Sequence, residues 1–180
     1  SFRSMVEKKY GGRWIDIESV YASIGQVTVN VTPISMLRAV SSIGVKGKMY
    51  VPHLLKEFKE IGAIGDPNDK NYYQAKPAFG FDHPEPKIIP MTPEQENVMV
   101  KGMWGVVNGG GTAKKISISG FDLAGKTGTA QVAALGKDVG KNKDHAWFVS
   151  FAPAYKPELA VIGLIENSGF GGDNAAPAVK

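Results

Sequence analysis

The chain has 180 residues, the length of one compact domain, and at 43% apolar it carries enough hydrophobic surface to bury a core. Its 21 Lys and Arg against 17 Asp and Glu leave a net charge of +4, too mild a bias to argue for nucleic acid or an anionic membrane surface. With no cysteine, disulfides, thiolate catalysis and Cys-based zinc sites are excluded.

The 22 glycines and 11 prolines point to a loop-rich α/β or α+β chain rather than a helical bundle. Residues 1–31 are mixed, with Tyr10-Gly11-Gly12-Arg13-Trp14 reading as a turn. Thr32-Pro33 then predicts a helix start, with Thr at the N-cap and Pro at the first helical position. Ile34, Leu37, Val40 and Ile43 recur at near-helical spacing, and Gly44 is the stop. Residues 47–58, with Met49, Val51, Leu54 and Leu55, predict a strand leading into polar sequence. Residues 62–90 are rich in Pro, Asp, Asn and Gly and read as an irregular excursion or small lobe.

Thr92-Pro93-Glu94-Gln95 predicts a second helix, because Thr92 and Gln95 can form a capping box. Val98 or Met99, Met103, Val106 and Val107 mark its apolar face, and Asn108-Gly109-Gly110-Gly111 ends it. Residues 116–118, 125–132, 145–152 and 159–166 are short runs of β-formers separated by turn chemistry. They predict an antiparallel sheet of at least three strands, with Ala154-Tyr155-Lys156-Pro157 joining the last two. A glycine loop at 167–172 and a final helix starting near Pro177 complete the pass. The chain opens with Ser1-Phe2-Arg3 and stops at Lys180 within that helix, so both ends are expected to be cuts in a longer protein. Its longest apolar run, residues 159–165, is far shorter than the roughly 18 residues of a spanning helix.

Gly120-Phe121-Asp122-Leu123-Ala124-Gly125-Lys126-Thr127 matches the phosphate-loop pattern GxxxxGK[ST]. Alone it proposes a nucleotide-binding domain in which backbone N–H groups and Lys126 hold phosphates and Thr127 meets magnesium. Such a loop must open a helix whose N-terminus faces the phosphates. Here Gly128, Thr129, Ala130, Gln131 and Val132 follow, a β-leaning run, and the loop interior is bulky. On a strand, the same residues offer another site. Lys126 and Thr127 place an ammonium beside a hydroxyl, and Gly128 lets a ligand's backbone approach closely. That set suits a substrate carboxylate, and the N–H of Thr129 can serve as one donor of an oxyanion hole. A solvated lysine on an ordinary strand is the plainer reading of the same tripeptide.

Ala124-Gly125-Lys126-Thr127-Gly128-Thr129-Ala130-Gln131 resembles the Lys-Thr-Gly signature of the penicillin-binding serine transpeptidases, with that family's usual flanks. Ser23-Ile24-Gly25-Gln26 followed by Val31-Thr32-Pro33 resembles the Ile-Gly-Gln…Thr-Pro segment of class B members of elongation type. Val106-Val107-Asn108 with Gly111-Thr112-Ala113 resembles their Val-Val-x-x-Gly-Thr-Ala stretch. His145-Ala146-Trp147-Phe148-Val149-Ser150-Phe151-Ala152-Pro153 resembles their His-Ala-x-Phe-x-x-Phe-Ala-Pro strand. Glu166-Asn167, Gly171-Gly172 and Ala175-Ala176-Pro177 complete a series in the family's order. Two departures stand out. Val27 occupies a position where many relatives have Gly, and neither a Ser-x-x-Lys nor a Ser-x-Asn motif occurs anywhere in the chain. In the family both motifs lie upstream.

The resemblance implies an α/β (α+β) fold, an antiparallel sheet flanked by helices as in serine β-lactamases, with residues 1–180 as the C-terminal portion of the transpeptidase domain. It implies a D,D-transpeptidase that cross-links peptidoglycan stem peptides through a serine acyl-enzyme and is acylated by β-lactams. Lys126 and Thr129 would be catalytic, and Lys126, Thr127, Gly128 and Thr129 would bind substrate. No cofactor and no metal are implied. The implied partners are stem peptides, β-lactams, the remainder of its own chain and the cell-elongation glycosyltransferase machinery, with no nucleic acid. The implied location is the bacterial inner membrane, with this domain facing the periplasm. In the family the strand matching residues 159–165 has a neighbour from before the nucleophile, so that flank is expected to be unpaired here. A non-catalytic module that kept the fold and lost the nucleophile fits the same residues.

Other candidates are weaker. His53, His83 and His145 are scattered without ligand spacing, and His145 reads as a structural residue entering its strand. Lys114-Lys115 and the Lys137, Lys141, Lys143 cluster read as solvated loops, and Trp14, Trp104 and Trp147 as packing.

Overall fold

Helix α1 (Asp16–Ser23) lies in the stretch that the sequence left mixed. Its start is set by polar contacts rather than by an apolar stripe. The Glu18 carboxylate accepts from the Ile15 N–H at 2.8 Å, and the Trp14 indole N–H donates to Ser19 Oγ at 2.9 Å. Trp14 is buried, whereas Ile17, Val20, Tyr21 and Ile24, which stand at helical spacing, form an apolar stripe that is exposed. The structure, a computed structural model, describes residues 11–26, 29–54, 84–132 and 139–180, with positions 4, 7, 8, 66 and 68–70 besides. Tyr10, Val27, Leu55, His83, Lys137 and most of the 62–90 excursion fall outside the described residues.

Helix α2 (Pro33–Gly44) begins as its sequence dictates: Thr32 Oγ1 accepts from the Ser35 N–H at 3.3 Å, with Pro33 in the first turn. The strand expected over 47–58 is reduced to β1 (Lys48–Met49), which pairs antiparallel with β2 (Lys87–Ile88). Residues 50–54 are not in a strand. The pairing is so short because the entry to it is a turn: Gly47 has φ +77°, and a Cβ there would sit 2.0 Å from the Ile89 carbonyl oxygen. Helix α3 (Pro93–Asn108) has the expected capping box, with Thr92 Oγ1 accepting from Gln95 N–H at 3.2 Å and Gln95 Oε1 accepting from Thr92 N–H at 2.9 Å.

The expected strand at 116–118 is instead a 3-10 turn, Lys114–Ile116. Its backbone donors are consumed locally, Lys114 N–H to Gly111 O and Ile116 N–H to Ala113 O, both at 3.1 Å, and Ile116 plugs into the core. Three antiparallel strands follow in the order β3–β4–β5: β3 (Ala124–Ala130), β4 (His145–Ala152) and β5 (Leu159–Ile165). Central β4 is the most buried, and its alternation splits the core. Ala146, Phe148 and Ala152 pack with Val107, Ile116 and Leu123 on one face, where helix α4 (Ala175–Val179) lies. Phe151 packs on the other face with Val100, Met103 and Val40, from α3 and α2. The final helix starts at Ala175, two residues before Pro177, because the N–H groups of Ala175 and Ala176 bond to the Gly171 carbonyl at 3.1 and 2.9 Å. The fold is therefore the expected α/β one, helices on both faces of an antiparallel sheet. Among the described residues no helix is long and apolar enough to cross a membrane.

Candidate active site

Strand β3 pairs with β4 along one side only among the described residues, in a register that sets Thr127 opposite Phe148 and Thr129 opposite Ala146. It carries two glycines whose missing side chains have different causes. A Cβ on Gly125 would lie 2.5 Å from the Phe148 ring, and one on Gly128 3.2 Å from Trp147 Cβ. Side chains alternate across a strand. Lys126, Gly128 and Ala130 thus share one face, and Thr127 and Thr129 share the other, with Phe148.

Both threonine hydroxyls are engaged. Thr127 Oγ1 and Thr112 Oγ1 are 2.8 Å apart, and the Gly171 N–H approaches Thr129 Oγ1 at 3.5 Å. The glycine loop at 167–172 lies directly on this face. A Cβ on Gly171 would fall 2.3 Å from the carbonyl oxygens of Gly128 and Trp147, and one on Gly172 2.4 Å from that of Thr112. Only glycine permits so close an approach of backbone to backbone. Around the loop, Lys115 Nζ pairs with Asp173 at 2.7 Å, an exposed bridge of small energetic weight. Asn174 Nδ2 donates to Ser168 O at 2.8 Å. At its start Asn167, with φ +52°, donates its N–H to His145 Nδ1 at 3.0 Å and its side-chain amide to the carbonyls of Lys141 and Lys143. His145 is thus a loop anchor, and the basic segment around Lys141 and Lys143 contributes carbonyl groups while its side chains stay exposed.

The outward edge of β3 is identified by its partners. Lys126 Nζ, exposed, donates to the Thr127 carbonyl at 2.8 Å, and Gln26 Nε2 donates to the Thr129 carbonyl at 2.9 Å. In an extended strand the N–H and C=O of one residue point the same way, and alternate residues point oppositely. The N–H of Thr129 therefore faces out from the sheet, while Lys126, Gly128 and Ala130 turn their backbone groups toward β4. A primary ammonium, two hydroxyls and an outward N–H thus share four consecutive residues. That is a donor array for an anionic group laid along the edge.

All four residues singled out from the sequence, Lys126, Thr127, Gly128 and Thr129, are together on this strand. The structure adds Thr112, Gln26 and Gly171, which lay within the resembling blocks but carried no local sign of contact with β3. The phosphate-loop geometry is not formed: Gly125-Lys126-Thr127 lies inside β3, and the chain runs on as strand to Ala130 instead of opening a helix. No group of three or more metal-ligating side chains occurs among the described residues.

The sequence matches the penicillin binding protein transpeptidase domain over residues 2–180. It is 31% identical to the peptidoglycan D,D-transpeptidase MrdA of Haemophilus influenzae over 188 residues, covering 99% of this chain and 27% of that protein. Its fold superposes on Pseudomonas aeruginosa PBP2 in complex with WCK 5153 with a TM-score of 0.70 at 30% identity, covering 99% of this chain and 34% of that one. It also superposes on the Helicobacter pylori PBP2 complex with MreC with a TM-score of 0.67 at 25% identity, covering 98% and 29%. The chain spans about a quarter of the length of that curated relative. On the match across the whole sequence, the sheet order and the Lys-Thr-Gly edge, the chain belongs to the penicillin-binding protein transpeptidase family.

Proposed function

We propose that this chain supplies the Lys-Thr-Gly half of a peptidoglycan D,D-transpeptidase site whose nucleophilic serine comes from elsewhere in the parent protein. The observation that carries the reading is the β3 edge itself, where the Thr129 N–H points outward between the Lys126 ammonium on one face of the strand and the hydroxyls of Thr127 and Thr129 on the other. The serine oxygen attacks the carbonyl carbon of the penultimate D-alanine. As that bond forms, the carbonyl oxygen becomes an oxyanion and meets the Thr129 N–H. The tetrahedral centre collapses, its C–N bond breaks, and the terminal D-alanine leaves as an amine carrying the proton that the serine hydroxyl gave up. The acyl group then passes to the amine of a neighbouring stem peptide. Thr127 and Thr129 donate to the substrate's terminal carboxylate, Gly128 lets the peptide lie close, and Lys126 supplies the electrostatic field and relays the proton. A β-lactam mimics the same peptide and acylates the same serine.

No cofactor enters this chemistry. The partners are stem peptides, the rest of its own chain and the cell-elongation glycosyltransferase machinery, and the related Helicobacter pylori protein in complex with MreC supports that placement. The domain is assigned to the periplasmic face of the inner membrane. Two measurements test the reading. The 180-residue chain, having no motif serine, is expected to give no mass shift on incubation with penicillin, and a one-acyl adduct would contradict this. In the full-length enzyme Lys126→Ala is expected to slow acylation strongly with the fold intact. Acylation at the wild-type rate would remove Lys126 from the mechanism.

A further inference from the structure

Helix α1 ends in a geometry that aims one side chain at the working strand. The Gly25 N–H bonds to Ala22 O at 3.1 Å and the Gln26 N–H to Tyr21 O at 2.9 Å, with Gly25 at φ +76°. This paired bonding around a left-handed glycine is the Schellman ending of a helix. It delivers Gln26 to the outward edge of β3, 103 residues away in sequence. There Nε2 donates to the Thr129 carbonyl at 2.9 Å, and Oε1 lies 3.5 Å from the Gln131 N–H, a long contact. One carboxamide thus addresses the C=O of one residue and the N–H of the residue two further on. A residue of a parallel neighbouring strand would satisfy the same two groups.

The location matters because the Thr129 N–H is the proposed oxyanion donor. It belongs to the peptide unit that follows Gly128, the least restrained residue type, on a strand that has a neighbouring strand on one side only among the described residues. An oxyanion donor stabilises the transition state only when held within a few tenths of an ångström of its working position. From these observations we infer that Gln26 is a positioning residue: its carboxamide clamps β3 immediately after the donor and closes the strand edge beyond Thr129. Substrate is then confined to the stretch from Lys126 to Thr129. A peptide adding itself to an exposed sheet edge would otherwise be free to slide in register. The inference rests on the transpeptidase reading above for its catalytic part, and on geometry alone for the clamp.

The test compares the full-length enzyme with its Gln26→Ala and Gln26→Glu variants, using a fluorescent penicillin as the acylating probe. Because a misplaced donor penalises the transition state more than the bound ligand, the limiting acylation rate is expected to fall about tenfold in both variants. The apparent dissociation constant, the acylatable fraction and the melting temperature should be nearly unchanged. Gln26→Glu keeps an acceptor for Gln131 but offers the Thr129 carbonyl no donor, so it should not rescue the rate. A limiting rate within twofold of wild type in both variants overturns the inference, as does a rate loss matched by loss of acylatable fraction and melting temperature. Hydrogen exchange provides an arm independent of catalysis: in Gln26→Ala the Gln131 amide should exchange several-fold faster while the Val149 amide is unaffected. Equal exchange at Gln131 overturns the clamp. An inert wild-type enzyme would refute the transpeptidase reading and leave the exchange arm to decide the clamp.

Discussion

Gly171 is glycine because of what lies against it. A side chain there would meet two backbone carbonyl oxygens, those of Gly128 and Trp147, and neither can move without disturbing the β3–β4 ladder. Gly171→Ala must therefore lift the loop from the strand and withdraw its N–H from Thr129. We expect it to destabilise the protein by about 1–3 kcal/mol, the range for overpacking a closed site. Thermal melting measures this, and a wild-type melting temperature would show that the loop sits elsewhere. Gly110, with open space around its missing Cβ, should show no such packing clash. At this scale Lys126 to Thr129 were singled out through the Lys-Thr-Gly resemblance, the tripeptide alone fitting a solvated lysine equally well, and their adjacency keeps them together on β3. Gln26, Thr112 and Gly171 were not legible as site residues. Their contacts cross 103, 15 and 42 residues, and no local pattern encodes a meeting at such separations.

Elements were legible wherever their ends are written in local chemistry. Thr32-Pro33 and Thr92-Pro93 each place a hydroxyl acceptor and a fixed φ at a helix start, and both helices begin there. Replacing Thr92 by Ala leaves the Gln95 N–H without its side-chain acceptor and breaks the reciprocal box. The expected cost is about 1 kcal/mol, measurable as a lower melting temperature, with faster exchange in the first turn of α3. An unchanged melt would mean that packing alone sets this helix end. Helix α1 escaped the sequence reading although Ile17, Val20, Tyr21 and Ile24 stand at helical spacing; no Thr-Pro start marks it, and its apolar stripe is exposed. Residues 116–118 misled for the opposite reason. Ile116 and Ile118 favour a strand, but the backbone around Ile116 is already bonded into the turn that follows α3.

Across the whole molecule, β5 has β4 on one side and, among the described residues, no strand on the other. Beside it opens an apolar hollow of about 380 Å³ bordered by Ile116, Phe121, Leu123, Leu159, Val161 and Val179. An apolar edge strand with unpaired backbone groups templates pairing with another chain. Each aliphatic side chain left uncovered forgoes roughly 1.5–3 kcal/mol of burial, and several together approach a domain's net stability. The isolated 180-residue chain is therefore expected to self-associate or to be unstable unless the remainder of its protein covers this side. Light scattering with hydrogen exchange checks it. A monomer at high concentration with residues 159–165 strongly protected would contradict the expectation.

The long reach of Gln26 to β3 has a consequence in time as well as in space. The β3 edge is contacted by Gln26 near one end of this sequence and by Gly171 near the other, so its contacts close loops of 103 and 42 residues. Non-local closures of this kind are entropically late steps in folding. During synthesis the Lys-Thr-Gly strand emerges before its glycine floor exists. A nascent chain can therefore display Lys126 to Thr129 before the contacts that fix their geometry exist, and the β3 edge takes its final form only when the last of these distant pieces has docked.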